Sequence, residues 1–480
     1  MAFLTGGANT LDDSYSISNS LRFNDDDSPN VSNNPNAGSG SDGSRTQFSI
    51  SMWVKRSRVS GTQQFLTSAV ATNTFYGTIK FNGDNKIQVN LINSGSDQDE
   101  IVTDAVYRDV SAWYHLFFVF DKTQASLSNG IKLYVNGVLQ TWGTTTYAQN
   151  EGYHFFRPGK THYIGNYNGQ EGYFDGYMAE IHFIDGSLKA HTDFGETNDN
   201  GVWIPKEYTG SHGTYGFFLE FKQTGTSENS SGIGADTSGN DEHFAVANLA
   251  STDVTTDTPT NNFCTLNSVA NSSMTTLAEG NLKGTGNSSS NNGNSDSTFA
   301  VANGKWYVEM KCTTRNTGSS AYYPTIGVAK PENLGRLLNG GSGQAGNIAD
   351  SAGYEADGNK RVGGTTSSHG SSLSDGNIVQ VALDMDNGAV YFGVNGTWQN
   401  SSDPESGSSK TNAAHTWTAD GRNYMFGLAS YNSSVAEMNF GNAPFSISSG
   451  HADGNGYGNF EHEPPANYYA LCTKNLAEYG

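Results

Sequence analysis

The carboxylate side chains are the first residues of this sequence whose type and grouping could bind a ligand. Asp25, Asp26 and Asp27 form an acidic run, and carboxylate oxygens are ligands that calcium prefers in proteins. Asp121 and Asp175, near the ends of predicted strands, could complete a calcium site. The run also fits a solvated turn, and Asp175 a turn cap, because no spacing defines a coordination sphere. Calcium is the one cofactor that the sequence suggests.

Aromatic side chains in polar, glycine-rich segments form the second group of candidates. Such rings can stack on the apolar face of a sugar or anchor a protein partner. The candidates in the later part of the chain are Tyr322, Tyr323, Tyr354, Trp398 and Trp417, and those in the earlier part are Trp142, Tyr153, His154, Tyr167 and Tyr173. A structural role, in which the rings cover the ends of a sandwich or form an oligomer interface, is equally compatible with the sequence.

Motifs for common catalytic chemistry are absent from the sequence. The 11 histidines are dispersed, with no His-Glu-x-x-His or Gly-x-Ser-x-Gly pattern. Cys264, Cys312 and Cys472 are far apart and lack the spacing of a zinc site or a disulfide framework, so we expect buried thiols. No catalytic residues are predicted, and we expect a protein that is not an enzyme.

The charge of the chain excludes several partners. Lys and Arg total 26 against 47 Asp and Glu, which gives a formal net charge of -21. Such a surface repels nucleic acid and anionic membranes. The N-terminus has no signal-peptide pattern, and the strongest apolar run, Leu116 to Phe120, is too short to span a bilayer. We therefore expect synthesis as a soluble cytosolic chain, without membrane insertion.

Two stretches with the same pattern indicate two related β-sandwiches. WYHLFFVFDKTQASLSNGIKLYVNG and NIVQVALDMDNGAVYFGVNG each contain an apolar strand, a turn, a strictly alternating strand and an Asn-Gly corner. Asn-Gly at 136–137 and 395–396 supplies the positive φ angles of a tight hairpin. The alternation predicts that Ile131, Leu133 and Val135 share one face of a strand.

Strand spacing and composition divide the chain into four segments. We expect a sandwich over 1–222, a polar connecting segment over 223–261 with a short strand near 243–249, a second sandwich over 262–446 and a C-terminal extension over 447–480. Gly284 to Ser297 is a surface loop by composition. Lys330 to Asp375 and Thr397 to Arg422 are expected to be long loops, where binding residues usually lie.

Several phrases of the sequence resemble known families. FSISMWVK, WYHLFFVFD, IKLYVNGVLQ and YIGNYNGQEGYFDGYMAEIHFIDG follow, in order, the strands of a laminin-G-like (LamG) domain of the concanavalin A-like superfamily. GKWYVEM, TIGVAK, GNIVQVALDMDNGAVYFGVNG, YMFGLAS and MNFGNAPF resemble a SPRY domain. The resemblance implies an all-β fold of two concanavalin A-like antiparallel β-sandwiches of jelly-roll type in tandem. Some LamG relatives bind calcium at the sandwich rim, and SPRY relatives bind partners through their loops.

The connecting phrases DTSGNDEHF, DTPTNNFCTLN and LAEGNLK, and the ending GYGNFEHEPPANYYALCTKNLAEYG, are similar to passages around such modules in virion proteins of marine bacteriophages, particularly tail fibres. This similarity implies a virion location after release by lysis. The chain enters its first sandwich within about twenty residues without an evident tail-docking domain or trimeric stalk, so a distal fibre module, a capsid decoration or another appendage also fits.

We therefore predict a virion protein that recognises a host-surface glycan or receptor through its sandwich loops. The alternative is a structural decoration or appendage-assembly subunit without receptor binding. A polysaccharide-degrading enzyme is a third possibility, although the Glu-x-Asp-x-x-Glu pattern of glycosidases with this fold is absent from the predicted strands. Homo-oligomerisation and contacts with other virion proteins are expected because virion parts assemble symmetrically.

Overall fold

The structure is a computed structural model, and it describes residues 15–24, 30–33, 43–70, 75–155, 160–167, 172–287, 291–316, 322–331 and 345–480. The chain divides into two compact units, Asp12–Thr260 (the N-terminal unit) and Asn261–Gly480 (the C-terminal unit). Strands predominate in both, which confirms the all-β prediction. Among the described residues, no helix is long and apolar enough to cross a membrane.

The strands of the N-terminal unit are β1 (Ser20–Phe23), β2 (Asn30–Asn33), β3 (Gln47–Arg56), β4 (Gln63–Val70), β5 (Phe75–Phe81), β6 (Ile87–Asn93), β7 (Ser96–Thr103), β8 (Trp113–Asp121), β9 (Ile131–Val135), β10 (Val138–Leu139), β11 (Trp142–Thr146), β12 (Thr161–Ile164), β13 (Gly176–Asp185), β14 (Gly195–Thr197), β15 (Trp203–Pro205), β16 (Phe217–Leu219), β17 (Ala245–Ala247) and β18 (Val254–Thr255). One short helix, α1 (Leu127–Gly130), precedes β9.

The strands of the C-terminal unit are β19 (Leu266–Asn271), β20 (Thr275–Ala278), β21 (Lys283–Gly286), β22 (Gly293–Ser297), β23 (Lys305–Thr314), β24 (Thr325–Ala329), β25 (Ala352–Glu355), β26 (Asn359–Val362), β27 (Thr365–Ser368), β28 (Ile378–Asp384), β29 (Ala389–Val394), β30 (Thr397–Trp398), β31 (His415–Thr416), β32 (Met425–Ser430), β33 (Val435–Asn439) and β34 (Tyr469–Ala470). Helix α2 (Thr473–Tyr479) follows β34.

Each unit is built on two large sheets. In the N-terminal unit the strand orders are β10-β9-β8-β3-β13-β1-β18, with β16 on β13, and β11-β7-β6-β5-β4-β12-β2-β17. In the C-terminal unit they are β19-β22-β32-β24-β25-β26-β27 and β20-β21-β33-β23-β28-β29-β30, with β31 on β29 and β34 on β23. The main apolar core of each unit draws residues from both of its sheets, as in a sandwich.

The alternating pattern places side chains as predicted. Ile131, Leu133 and Val135 all lie in the core of the N-terminal unit. In β8, Phe118 belongs to that core while Phe117 is fully buried on the opposite face. Central strands of a sheet covered on both faces carry apolar residues on both sides. The period-2 prediction is therefore confirmed for these strands.

The two Asn-Gly corners adopt the same geometry. Asn136 and Gly137 have φ angles of 48° and 76°, and Asn395 and Gly396 have 49° and 81°, which are the positive values that a two-residue hairpin turn requires. Each asparagine side chain also accepts a backbone hydrogen bond from the neighbouring strand, at 2.7 Å in the first corner and 2.9 Å in the second. The corners fix the register of β9 with β10 and of β29 with β30.

The segment 223–260 differs from the expected connecting segment, because it forms part of the N-terminal unit. β17 pairs with β2, and β18 pairs with β1. Asp257 is fully buried, and its carboxylate accepts hydrogen bonds from Lys55 Nζ at 2.7 Å and Trp113 Nε1 at 3.1 Å. The polar segment thus covers the outer face of a sheet that carries the apolar residues Trp53, Trp113 and Tyr177.

Two predicted loops are wrong because the sheet extends into them. Gly293–Ser297, expected at the surface, is the buried strand β22 between β19 and β32. Its Asp296 is 4% exposed, and burial raises the pKa of this carboxyl to about 7. The expected loop 330–375 contains β25, β26 and β27. The polar composition of both stretches suggested loops. Strands that pair within a sheet can nevertheless carry buried polar side chains.

A histidine and aromatic cluster lies on the same outer face of the N-terminal unit. His115 is fully buried, its Nδ1 accepts a hydrogen bond from Trp203 Nε1 at 3.0 Å, and its Nε2 lies 2.8 Å from Ser51 Oγ. The indole donor requires an unprotonated Nδ1. Burial and the nearby His191 lower the pKa of His115 from 6.5 to about 3, and burial also lowers the pKa of His162 to about 3.

Changing Asp257 to Asn is expected to lower the free energy of unfolding by about 3 kcal/mol, because it removes the charge that balances buried Lys55. Asp241→Asn is the matched control in the same segment, since the Asp241 side chain is 92% exposed, and a change below about 0.5 kcal/mol is expected. Urea denaturation measures both. Equal stability of the two variants would show that the segment is not part of the cooperative unit.

Acid is expected to destabilise the N-terminal unit because its buried histidines are held unprotonated in the folded state. The folded state binds fewer protons than the unfolded chain between the lowered pKa values, about 3 for His115 and His162, and the ordinary value of about 6.5. Stability is therefore full above that ordinary value and decreases below it, by up to about 1.4 kcal/mol per pH unit for each histidine.

Melting temperatures recorded between about pH 7 and about pH 5 test this linkage. His115→Gln removes one titrating group and should give a shallower decrease, whereas His451→Gln, at a half-buried position of the C-terminal unit, serves as the control. An identical pH dependence in the parent and His115→Gln would contradict the assignment.

Candidate functional site

A cleft in the C-terminal unit has the size and lining of a ligand site. Its volume is about 690 Å³, within the range of about 300–1,000 Å³ typical of small-molecule sites. The residues that line it are Trp398, Ser402, Asp403, Pro404, Glu405, Ala452, Asp453, Gly454, Glu463, Pro464, Pro465, Ala466 and Asn467. They come from β30, from the segment after it and from the predicted C-terminal extension.

Trp398 is the aromatic residue of the cleft. It lies at the end of the hairpin β29–β30, paired with Gly393. A Cβ atom at Gly393 would lie 3.2 Å from the Trp398 ring, so the glycine allows the ring to lie close over the strand. The ring packs against a buried cluster that includes Tyr391 and Phe460. Trp398 is half-buried, so its ring is held in place while part of it borders the cleft.

The segment after Trp398 forms one wall. The Asp403 carboxylate accepts a hydrogen bond of 2.9 Å from the backbone N–H of Glu405 and caps the turn Pro404–Ser409. Glu405 Oε1 accepts a hydrogen bond of 2.8 Å from the backbone N–H of Ala466, and the Tyr468 hydroxyl donates to the carbonyl of Pro404 at 2.9 Å. These contacts join the two segments across the cleft.

Asp453 holds the opposite wall in place. This residue is 7% exposed, and its carboxylate accepts hydrogen bonds from the backbone N–H groups of Asn455, Tyr457 and Ala470, at 2.9, 2.9 and 2.8 Å, and from Asn475 Nδ2 at 2.7 Å. A carboxylate with four donors has little capacity left for a ligand. Asp453 is therefore a positioning residue.

Glu309, on the central strand β23, anchors the same segment from below. It is fully buried and accepts hydrogen bonds from the backbone N–H groups of His462 at 2.8 Å and Glu461 at 3.0 Å. Asn439 Nδ2 and the Tyr307 hydroxyl also donate to it, at 3.1 and 3.0 Å. Burial raises the pKa of Glu309, and the hydrogen bonds oppose this rise. The C-terminal segment is thus tied to the sheet on both sides of the cleft residues 463–467.

The remaining polar groups of the cleft could meet a ligand. Asp403, Glu405 and Glu463 are exposed, and the lining contains no Lys, Arg or His. Ser402 is 8% exposed, and its hydroxyl has no hydrogen-bond partner within the part of the chain that the structure describes. A half-buried indole beside carboxylates and a hydroxyl can combine ring stacking with hydrogen bonds to sugar hydroxyls.

The other ring candidates of the C-terminal unit lie outside this lining. Trp417 is half-buried and stacks on Tyr424 with 4.5 Å between ring centroids. Tyr354 lies on β25 with no exposed surface, and its hydroxyl donates to the Ser371 carbonyl at 2.6 Å. The expectation of an exposed Tyr354 ring in a loop is wrong, because its strand faces the core.

Tyr322 and Tyr323 form a small aromatic group of their own. Their ring centroids are 4.5 Å apart, and Tyr323 is 4% exposed and stacks on Tyr431 at 5.4 Å. Tyr322 is half-buried, with the Arg361 guanidinium 6.0 Å from its ring. The expectation of exposure fails for Tyr323, whereas Tyr322 remains partly accessible.

In the N-terminal unit, Tyr153 and His154 are fully buried, which corrects their expected exposure. Trp142 is half-buried, and its Nε1 donates to the Ile131 carbonyl at 3.1 Å. Tyr167 is half-buried and meets the Tyr76 ring edge-on at 5.3 Å. Tyr173 is likewise half-buried. Trp142, Tyr167 and Tyr173 remain candidate contact residues.

Of the calcium candidates, the structure describes Asp121 and Asp175. Asp25, Asp26 and Asp27 lie outside the described residues. Asp121 accepts hydrogen bonds from Gln47, Thr123 and Gln124. Burial would raise the pKa of Asp121, but these hydrogen bonds outweigh it and leave the pKa lowered.

Asp175 is 4% exposed and immediately precedes β13. Throughout the described ranges, no group of three or more His, Cys, Asp or Glu side chains is arranged to hold a metal ion. All three cysteines are described, and all are buried thiols, as expected.

Sequence reasoning found Trp398 but missed the rest of the cleft. The signals available were Asp-Pro-Glu at 403–405 and Glu-Pro-Pro at 463–465, two acidic, proline-containing phrases. About sixty residues separate them, and no local rule pairs segments at that distance. The wall therefore depends on tertiary contacts such as that of Glu405 with Ala466.

Comparison with known proteins identifies the class of the N-terminal unit. Residues 29–192 match the Laminin_G_3 family model, described as the concanavalin A-like lectin/glucanases superfamily. The chain thus carries a concanavalin A-like domain of laminin-G type within a lectin-like β-sandwich fold, which confirms that part of the prediction. No curated protein gives a significant match to the chain.

Several solved structures are similar to parts of the chain. The SPRY domain of human HERC1 has a TM-score of 0.27 and 18% identity, covering 36% of this chain and 96% of that one. A heptameric SAP-like pentraxin from Limulus polyphemus has a TM-score of 0.25 and 16% identity, and the match covers 39% of this chain and 77% of that one. A Bacteroides ovatus protein provisionally described as carbohydrate-binding has a TM-score of 0.31 and 11% identity, and the match covers 48% of this chain and 58% of that one.

Proposed function

We propose that this protein is an adhesion component of a bacteriophage virion that binds a bacterial surface glycan in the Trp398 cleft. The observation that carries the binding role is the cleft itself, in which a fixed, partly accessible indole lies beside exposed hydrogen-bonding side chains. Sugar rings present an apolar face and a rim of hydroxyls, so a site needs both kinds of group.

The rigidity of the cleft supports binding over a purely structural role for these residues. Buried carboxylates hold its C-terminal segment, Asp453 at one wall and Glu309 beneath it, and Glu405 joins the segment after β30 to that wall. Pro464 and Pro465 restrict the backbone of the same wall. A preorganised site loses less conformational entropy on binding, and many copies on one particle would compensate for a weak single site.

The virion assignment rests on the similarity of the connecting and C-terminal phrases to those of marine phage virion proteins. Antibody against the purified protein is expected to detect it in density-gradient fractions that contain intact phage particles carrying this coding sequence. Signal confined to the unassembled protein fractions would contradict the virion role and leave glycan binding as a separate question.

A structural subunit remains the second candidate function, and one surface favours it. Val138 and Leu139, on the edge strand β10, are 63% and 54% exposed. Apolar side chains on a free sheet edge suit a protein contact. In this case Trp398 would serve assembly, and no glycan would be retained.

Trp398→Ala is expected to abolish retention of the protein on immobilised bacterial polysaccharides, because truncating a central aromatic contact typically costs more than about 1–2 kcal/mol. Trp417→Ala is the matched control, a half-buried Trp of the same unit outside the cleft. Retained protein and released oligosaccharide are measured together, with the melting temperature of each variant.

Equal loss in both variants, or no retention of the parent protein on any polysaccharide, would contradict the cleft as a glycan site. Release of oligosaccharide would point instead to a polysaccharide-degrading enzyme.

A further inference from the structure

We infer that the Trp398 cleft selects glycans that carry free amino groups and rejects acidic polysaccharides, a specificity that rests on the proposed glycan-binding function. In the C-terminal unit this cleft places an aromatic ring beside several acidic side chains. Its lining includes four acidic side chains and no basic one. The sign of this charge sets the class of ligand.

Three of the four acidic residues are available to a ligand. Asp403, Glu405 and Glu463 are exposed, and Glu463 makes no hydrogen bond or ion pair with the described residues. The carboxylates of Asp403 and Glu405 each accept one hydrogen bond from a backbone N–H group, which leaves acceptor capacity on both. Only Asp453 is fully used, by its four donors.

The indole adds a second preference for cations. An ammonium group within about 6 Å of a Trp face is attracted by the ring quadrupole, and Trp398 shares the cleft lining with the carboxylates. Elsewhere in the unit some acidic side chains have basic partners, as in Lys305–Asp384 at 3.1 Å and Arg361–Glu355 at 2.7 Å. The exposed acids of the cleft lack such partners within the described residues.

Ser402 points to a ligand independently of the charges. It is 8% exposed and lines the cleft, and its hydroxyl has no hydrogen-bond partner among the described residues. A buried hydroxyl without a partner costs free energy in the unliganded protein. A sugar hydroxyl or amino group reaching the cleft wall would supply that partner.

The same charges should repel acidic polysaccharides. A uronate or sulfate group in this cleft would face three carboxylates without a cation to pair with, and the whole chain has a net charge of -21. Like charges in a partly desolvated site repel. A neutral glycan could use the ring and the acceptors, but without the ammonium contact its affinity should be lower.

The test is isothermal titration of the full chain with three short oligosaccharides: a glucosamine trimer at mildly acidic pH, its N-acetylated counterpart and a uronic acid trimer. Short ligands limit nonspecific attraction of a polycation to an acidic protein. The glucosamine trimer is expected to bind most tightly, the neutral trimer more weakly and the uronic acid trimer not at all. Added salt should weaken only the first.

Variants assign the effect to the cleft. Glu463→Gln should reduce affinity for the glucosamine trimer by about twofold to fivefold, as for one partly exposed ion pair, and leave the neutral trimer unchanged. Asp241→Asn removes an exposed charge of the N-terminal unit and is the matched control for net charge. Trp398→Ala should weaken both ligands by at least about tenfold.

The outcomes separate the two proposals. Trp398-dependent binding of the uronic acid trimer, or equal binding of the amino and neutral trimers with no effect of Glu463→Gln, would overturn the amino-sugar preference and leave glycan binding intact. Equal effects of Glu463→Gln and Asp241→Asn would also overturn it, because the attraction would then belong to the whole surface. Absence of any Trp398-dependent binding would overturn the proposed function itself.

Discussion

Both units depend on one constraint. In each sandwich, one of the two sheets is apolar on its outer face as well as on the face that borders the core. In the N-terminal unit, Trp53, Trp113 and Phe117 are buried on the outer face. In the C-terminal unit, Tyr307 and Tyr391 are buried in the corresponding way. A single sandwich core cannot cover these residues, so further segments of the chain must pack over them.

Polar segments provide that cover, and buried carboxylates position them. Asp257 connects the segment 223–260 to Lys55 and Trp113 on the sheet. The Glu309 carboxylate accepts hydrogen bonds from the backbone N–H groups of the segment that follows Phe460. Backbone donors and a buried ammonium satisfy charges that would otherwise be costly to bury. Segments that resemble linkers by composition are thus parts of the folded units.

The cleft is a consequence of this covering layer. The C-terminal segment crosses the outer face of its sheet, meets the turn after β30, and leaves a concavity between the two bordered by Trp398. Gly393 lets the indole lie close over the strand, because a Cβ atom there would come within 3.2 Å of the ring, and the hairpin geometry depends on the Asn395-Gly396 corner. The cleft therefore exists because the sheet below it needs a covering segment to bury its apolar outer face.

The sequence by itself determined the features that follow from local chemistry. Period-2 alternation identified the faces of strands such as β9, the Asn-Gly pairs identified the hairpin corners, and ordered motifs identified the laminin-G-like domain. Trp398 was recognised as a candidate because an aromatic next to a polar loop is a local signal.

Only the tertiary structure decided which polar residues are buried. Asp296 and Tyr354 lie inside although their neighbours suggest loops, and the acidic wall of the cleft joins residues about sixty positions apart. Burial depends on what packs above a residue, and this information is spread over the whole chain.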